Sequence, residues 1–266
     1  MSYRVEKALE KSRRHRETLE VPDPFGAAVA CAADPGIWAK ARREEVPQAT
    51  LRRNHIIAGL RDDARADAFR VLRARVLRKM VDEGWTSLGI TSAAAGDGKT
   101  LTAANLAVSV AMDMNQTVLL VDLDLRRPCV HKVFGIDPDK GLSDYLTGRC
   151  KLETCLVTPG IDRLALLPQV ASIYNSSEVL SMPKTKSLMR ELKGRGRDHL
   201  VIYDMPPLLA SDDALVILPN VDATILVVQE GKSEESEIEA GLDLLRGSNW
   251  LGSVLTNARE GETGFY

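Results

Sequence analysis

Two hydrophobic periods alternate along the chain. In 87–92, 117–122, 163–167, 199–204, 223–228 and 251–255 the apolar residues form short β-rich runs, of which TVLLVD and ATILVV are nearly unbroken. Strands buried on both faces read this way. Between them, apolar positions recur at helical spacing over 99–112, 177–192 and 234–245. Ahead of the first strand, the stretch 65–80 sets Phe69, Leu72, Val76 and Leu77 on one helical face among arginines. Strands that alternate with helices predict an α/β protein, a doubly wound and mainly parallel sheet with helices on both faces.

The amino-terminal part carries a different pattern. Val5, Ala8, Leu9 and Ser12 fall at helical spacing among charged residues, which predicts an amphipathic helix over 1–20. From 21 to 52 the chain places Pro22, Pro24, Gly26, Pro35, Gly36 and Pro47 between alanines and reads as a linker. The expected layout is therefore a helix at 1–20, a linker at 21–52, one α/β domain at 53–260 and a short tail at 261–266.

Composition narrows the setting. With 44% hydrophobic and 27% charged residues among 266, a buried core is expected. A net charge of -2 gives no global reason for binding nucleic acid, and no nucleic-acid partner is expected. Cys31, Cys129, Cys150 and Cys155 show no zinc-ligand spacing and read as reduced thiols. The start MSYRVEKALEKSRR mixes both charges, unlike a secretion signal. No run approaches the roughly 18 apolar residues of a membrane span. The reading is a cytoplasmic protein that meets a membrane only through a partner or a surface helix.

Three segments carry chemistry. LGITSAAAGDGKTLTAANLA passes from a strand through a glycine-containing turn into a helix, with Ala93 to Thr100 matching a phosphate-binding loop. Gly96 and Gly98 allow backbone amides to turn inward as an anion nest, and the helix start adds its own unpaired N–H groups. Ala95, Gly96, Asp97, Gly98, Lys99, Thr100 and Leu101 are the nucleotide-binding candidates, with Lys99 on the β- and γ-phosphates and the Thr100 hydroxyl on Mg2+. LLVDLDLRRP then offers Asp122, Asp124 and Arg126 at spacing two, one face of an extended strand. They would meet the phosphates, or Arg126 would simply neutralise Asp124. LVIYDMPP ends a strand at Asp204, where Pro206 and Pro207 stop the ladder. Asp124 and Asp204 join Thr100 as magnesium candidates, so the expected cofactors are ATP and Mg2+.

These motifs resemble the bacterial tyrosine kinases of capsule and exopolysaccharide synthesis, within the MinD/ParA-like P-loop group; the leader SYRVEKALEKSRR is similar to an exosortase-associated subgroup. DLRRPCVHKVFG, GLSDYLTG and DALVILPNVDATILVVQEGKS favour the kinase branch, and Ala94 stands where positioning ATPases carry a second lysine. The resemblance implies tyrosine autophosphorylation, with Asp122 orienting or deprotonating the attacking phenol. It implies a homo-oligomer docked through Asp67, Arg70 and Arg73, which stand as Asp-x-x-Arg-x-x-Arg where the family has Glu first. It also implies activation by the cytoplasmic tail of a membrane polysaccharide chain-length or co-polymerase protein. The family's tail carries a tyrosine cluster, whereas this chain ends in Tyr266 alone, so an ATP-switched scaffold without kinase activity is the rival reading. Thr256 and Asn257, after the last strand, are candidates for the adenine.

Overall fold

The computed structural model describes residues 41–60, 63–196 and 198–258. The leader helix expected at 1–20, most of the linker and the tail with Tyr266 lie outside them. The strands are β1 (Arg42–Arg43), β2 (Ser87–Ser92), β3 (Thr117–Asp122), β4 (Val157–Thr158), β5 (Leu164–Leu167), β6 (His199–Asp204), β7 (Ala223–Gln229) and β8 (Trp250–Thr256). The helices are α1 (Gln48–Arg53), α2 (Arg65–Glu83), α3 (Lys99–Ala111), α4 (Val130–Phe134), α5 (Leu142–Leu146), α6 (Ser176–Ser181), α7 (Pro183–Lys193), α8 (Asp213–Ile217) and α9 (Glu235–Leu244).

The strands form one sheet in the order β1-β4-β5-β3-β6-β2-β7-β8. Every pairing is parallel except β4 with β5. Both faces are covered, and the strands divide their side chains between them by the period of two. Val118, Leu120, Leu200 and Ile202 enter the core on one face, with Val76, Met80 and the apolar side of α3. Leu119, Val121, Val201 and Tyr203 enter the core on the other, with Leu188, Met189 and Leu192 of α7. The doubly wound architecture is the one the hydrophobic pattern predicts.

Topology decides what meets at the carboxyl rim. The crossover from β2 through α3 to β3 skips one place in the sheet, and β6 fills it. The carboxyl ends of β2, β6 and β3 therefore lie side by side, and Asp122 faces Asp204 in register. Parallel sheets of this kind bind ligands beyond such strand ends.

Three local expectations change. The linker does not run to 52: Arg42 and Arg43 pair with Val157 and Thr158 as an edge strand, and Leu51 of α1 is buried in the core. The helix expected over 177–192 is two helices, α6 and α7, broken where Pro183 opens the second with the nitrogen that cannot continue a ladder. The strand pattern at 117–126 stops at Asp122, so its period of two does not carry on to Asp124 and Arg126.

Asn105 on α3 locks the entering chain to the helix behind the phosphate loop. Its Oδ1 accepts the amides of Ile57 and Ala58 at 2.8 and 3.0 Å, and its Nδ2 donates to the carbonyls of His55 and Leu101, each at 2.9 Å. The side chain is buried, so truncation would strand several polar groups away from water. Asn105→Ala is expected to destabilise the protein by about 2–4 kcal/mol, read as a lower urea midpoint; an unchanged midpoint would remove this role.

Candidate active site

The turn after β2 is a cradle of main chain. Gly96 and Gly98 have φ of 87° and 91°, the left-handed region where a side chain is strained. Gly98 is the N-cap of α3, so the unpaired amides of Lys99 and Thr100 open toward the rim. Ala95 is exposed and Leu101 partly exposed on the first turn, whereas Asp97 is buried. Thr256 supports the loop from β8, its Oγ1 donating to the Asp97 carbonyl at 2.8 Å. Asn257 follows with φ of 54°. Of the two adenine candidates, Thr256 thus touches the loop and Asn257 is the next residue along the chain.

Lys232, which the sequence reading passed over, holds the loop from the other side. Its Nζ donates to the Ala95 carbonyl at 2.8 Å and lies 3.5 Å from Asp97 Oδ1. A Cβ on Gly96 would fall 2.5 Å from this ammonium, a second reason for glycine there. The only signal in the sequence is a Gly-Lys-Ser just past the carboxyl end of β7, on the same rim.

Lys99 occupies the centre. Its ammonium lies 2.8 Å from Asp124 Oδ2 and 3.5 Å from Asp204 Oδ1, and the Thr100 hydroxyl donates to Asp204 Oδ2 at 2.7 Å. All three charged groups are buried. Burial alone would favour neutral Lys99, but Asp204 and Asp124 outweigh it and hold the amine charged beyond the ordinary lysine range. Asp204 is pushed upward by burial, which the Lys99 charge and the Thr100 bond only partly offset.

Asp122 is also wholly buried, and burial followed by the Asp204 charge pushes its carboxyl well above the usual range. Its oxygens face backbone donors: Oδ2 accepts the amides of Cys129 and Val130, both at 3.0 Å, and Oδ1 accepts the Asp124 amide at 3.2 Å. Asp122 thereby opens α4 and fixes the turn that brings Asp124 round to Lys99. The structure places Lys99, Asp122, Asp124, Thr100 and Asp204 together.

Arg126 does not join them. Its Nε donates to Asp213 Oδ2 at 3.0 Å and Ser176 Oγ at 2.7 Å, tying the β3 end to α8 and α6. The expected neutralisation of Asp124 is not made, because the chain leaves the strand at Asp122. Of the candidates on α2, Asp67 and Arg70 pair with each other, while Arg73 donates to the Ser109 carbonyl of its own chain at 2.8 Å.

Comparison with profiles of known protein families gives no match. Individual relatives do match. Tyrosine-protein kinase YwqD of Bacillus subtilis is 31% identical over 221 residues, 81% of this chain and 92% of that protein. The chain belongs to the bacterial tyrosine-protein kinase family. Tyrosine-protein kinase etk of Escherichia coli is 32% identical over 197 residues, but the chain spans only 26% of its length. The solved kinase domain of that protein superposes with a TM-score of 0.67 at 29% identity, covering 77% of this chain and 82% of the domain. A more distant likeness is the septum site-determining protein MinD complexed with Mg-ADP from Pyrococcus horikoshii, with a TM-score of 0.54 at 28% identity over 64% of this chain and 69% of that one. The chain shares the P-loop fold of these nucleotide-binding proteins, and its family makes it a protein-tyrosine kinase.

The donor set also suits a hard cation. Asp204 Oδ1 is buried without a hydrogen-bond partner, and the neighbouring donors are carboxylate and hydroxyl oxygens. No cluster of three or more His, Cys, Asp or Glu ligands occurs among the described residues. Magnesium takes one or two carboxylates together with substrate phosphates and water.

Removing the Lys99 charge leaves buried carboxylates facing one another. Lys99→Met is expected to cost the free protein about 3–5 kcal/mol. The sign with pH follows from the raised acids: a carboxyl whose folded pKa exceeds its unfolded one loses stability as pH rises through that interval. The deficit relative to wild type should therefore grow as pH rises above the ordinary carboxylate range, measured by urea denaturation; a deficit that shrinks with rising pH would contradict the arrangement.

Proposed function

We propose that the chain transfers the γ-phosphoryl group of magnesium-bound ATP to tyrosine, and that this activity regulates exopolysaccharide or capsule chain synthesis or export. The observation that carries the reading is the buried Lys99 ammonium held 2.8 Å from Asp124 and 3.5 Å from Asp204, beside a phosphate loop, in a chain of the tyrosine kinase family.

In this reading the amides of 95–101 and Lys99 hold the phosphates, while Thr100, Asp124 and Asp204 hold magnesium. The metal supplies charge neutralisation and alignment of the triphosphate. Lys99 leaves its two carboxylates for the β- and γ-phosphates as the nucleotide enters. Asp122 acts as a positioning residue, since its oxygens are engaged by the amides that shape the Asp124 turn. Arg126 serves the same segment through Asp213, not through the phosphates.

The working form is a homo-oligomer docked through Asp67 and Arg70, with Arg73 buttressing α2 against α3. No helix among the described residues is long and apolar enough to cross a membrane. We place the chain at the cytoplasmic face of the inner membrane through the tail of a chain-length co-polymerase, without nucleic acid. A positioning ATPase is the second reading, with which the more distant MinD likeness is consistent. Ala94, in place of that group's second lysine, weighs against it.

Purified protein incubated with Mg-ATP should transfer phosphate to tyrosine, and Lys99→Met should lower the rate by about 100-fold or more. Phosphotyrosine equal in both proteins, or absent from wild type while ATP is hydrolysed, would reject the kinase reading. Arg70→Glu should shift self-association toward the monomer in sedimentation velocity while leaving nucleotide binding intact. An unchanged distribution would exclude the α2 interface.

A further inference from the structure

Among the described tyrosines, one stands out in solvent. Tyr203 lies wholly inside the sheet, and burial pushes its phenol upward. Tyr145 is partly buried, with the Lys184 ammonium 4.3 Å from its ring centroid. Tyr174 is 97% exposed. A large aromatic side chain that packs on almost nothing contributes little to folding, since its apolar surface stays in water.

Its place is as informative as its exposure. Tyr174 sits in the turn between β5 and α6, and both sides of that turn are fixed to the segment leaving β3. The Ile173 amide donates to the Leu125 carbonyl at 2.8 Å, and Ser176 Oγ accepts Arg126 Nε at 2.7 Å. Leu125 follows Asp124, whose carboxylate is 2.8 Å from Lys99. One Cα step of about 3.8 Å separates Tyr174 from Ile173. The turn that carries this solvent-facing phenol is therefore fastened to the segment that continues from Asp124. The exposed arginines Arg126 and Arg127 belong to the same segment.

We propose that Tyr174 is a phospho-acceptor of this kinase, a modification site on the rim of the active site; this rests on the tyrosine kinase reading above. The Tyr174 phenolic oxygen forms the new bond to the γ-phosphorus of ATP. The bond from that phosphorus to the β–γ bridging oxygen breaks, ADP leaves with the electron pair, and the phenolic proton passes to solvent. The product carries about −1.5 to −2 charge, on a turn fastened to the segment that bears the exposed Arg126 and Arg127.

The test uses the full chain with Mg-ATP, followed by phosphopeptide mapping and, in parallel, transfer to an added Glu–Tyr copolymer. The tryptic peptide 164–184 contains Tyr174 and no other tyrosine. The expected result is label in that peptide from wild type, none from Tyr174→Phe or Lys99→Met, and copolymer transfer unchanged in Tyr174→Phe. The substitution removes one solvent-facing hydroxyl, so loss of label reports chemistry and not misfolding. Copolymer transfer with label only at other tyrosines would overturn the Tyr174 assignment and leave the kinase reading intact. No label and no copolymer transfer would overturn both.

Discussion

A single ammonium among buried acids organises this protein. Lys99 is held between Asp124 and Asp204, and Asp122 adds a further carboxylate to the same cluster. Charges removed from water are tolerated only when paired and hydrogen-bonded, and here each has a defined neighbour. On the proposed reading the cluster is built to be taken apart: a triphosphate that drew Lys99 away would have to bring a cation to replace it on the acids, and dependence on magnesium would follow from the resting arrangement.

The sheet order makes this cluster possible. Because the β2 to β3 crossover leaves a place for β6, acids at and just beyond the ends of β3 and β6 and the lysine that opens α3 reach one point. The rest of the rim is held by small ties. Lys232 and Thr256 brace the phosphate loop, and Arg126 with Asp213 and Ser176 fastens the end of β3 to the helices beyond β5 and β6. Loss of such a tie would displace the reacting groups without touching them, and positional errors near 1 Å are costly in phosphoryl transfer.

Much of this was legible in the chain. TVLLVD and LVIYDMPP announce buried strands that end in aspartate, and the glycine turn before Lys99 becomes a cradle of main chain at the carboxyl rim. The resemblance carried by DLRRPCVHKVFG pointed to the family that the relatives bear out. What the sequence concealed depends on where regular structure stops. Reading Arg126 by strand alternation failed because β3 ends at Asp122, after which a turn capped by Asp122 itself sets every direction. Lys232 is one cation in a loop, with no spacing to single it out. The Arg42–Arg43 edge strand is too short to show a period. Asp213 pairs with Arg126 across 87 positions of sequence, a distance no local pattern spans.

Competition for the Lys99 charge can be measured directly by titrating ATP into wild type and Asp124→Asn in a calorimeter, with and without magnesium. If Asp124 restrains Lys99 in the free protein and helps hold the cation in the complex, the substitution should tighten metal-free ATP binding and weaken binding of the magnesium complex. Equal effects in both conditions, or none in either, would contradict the account.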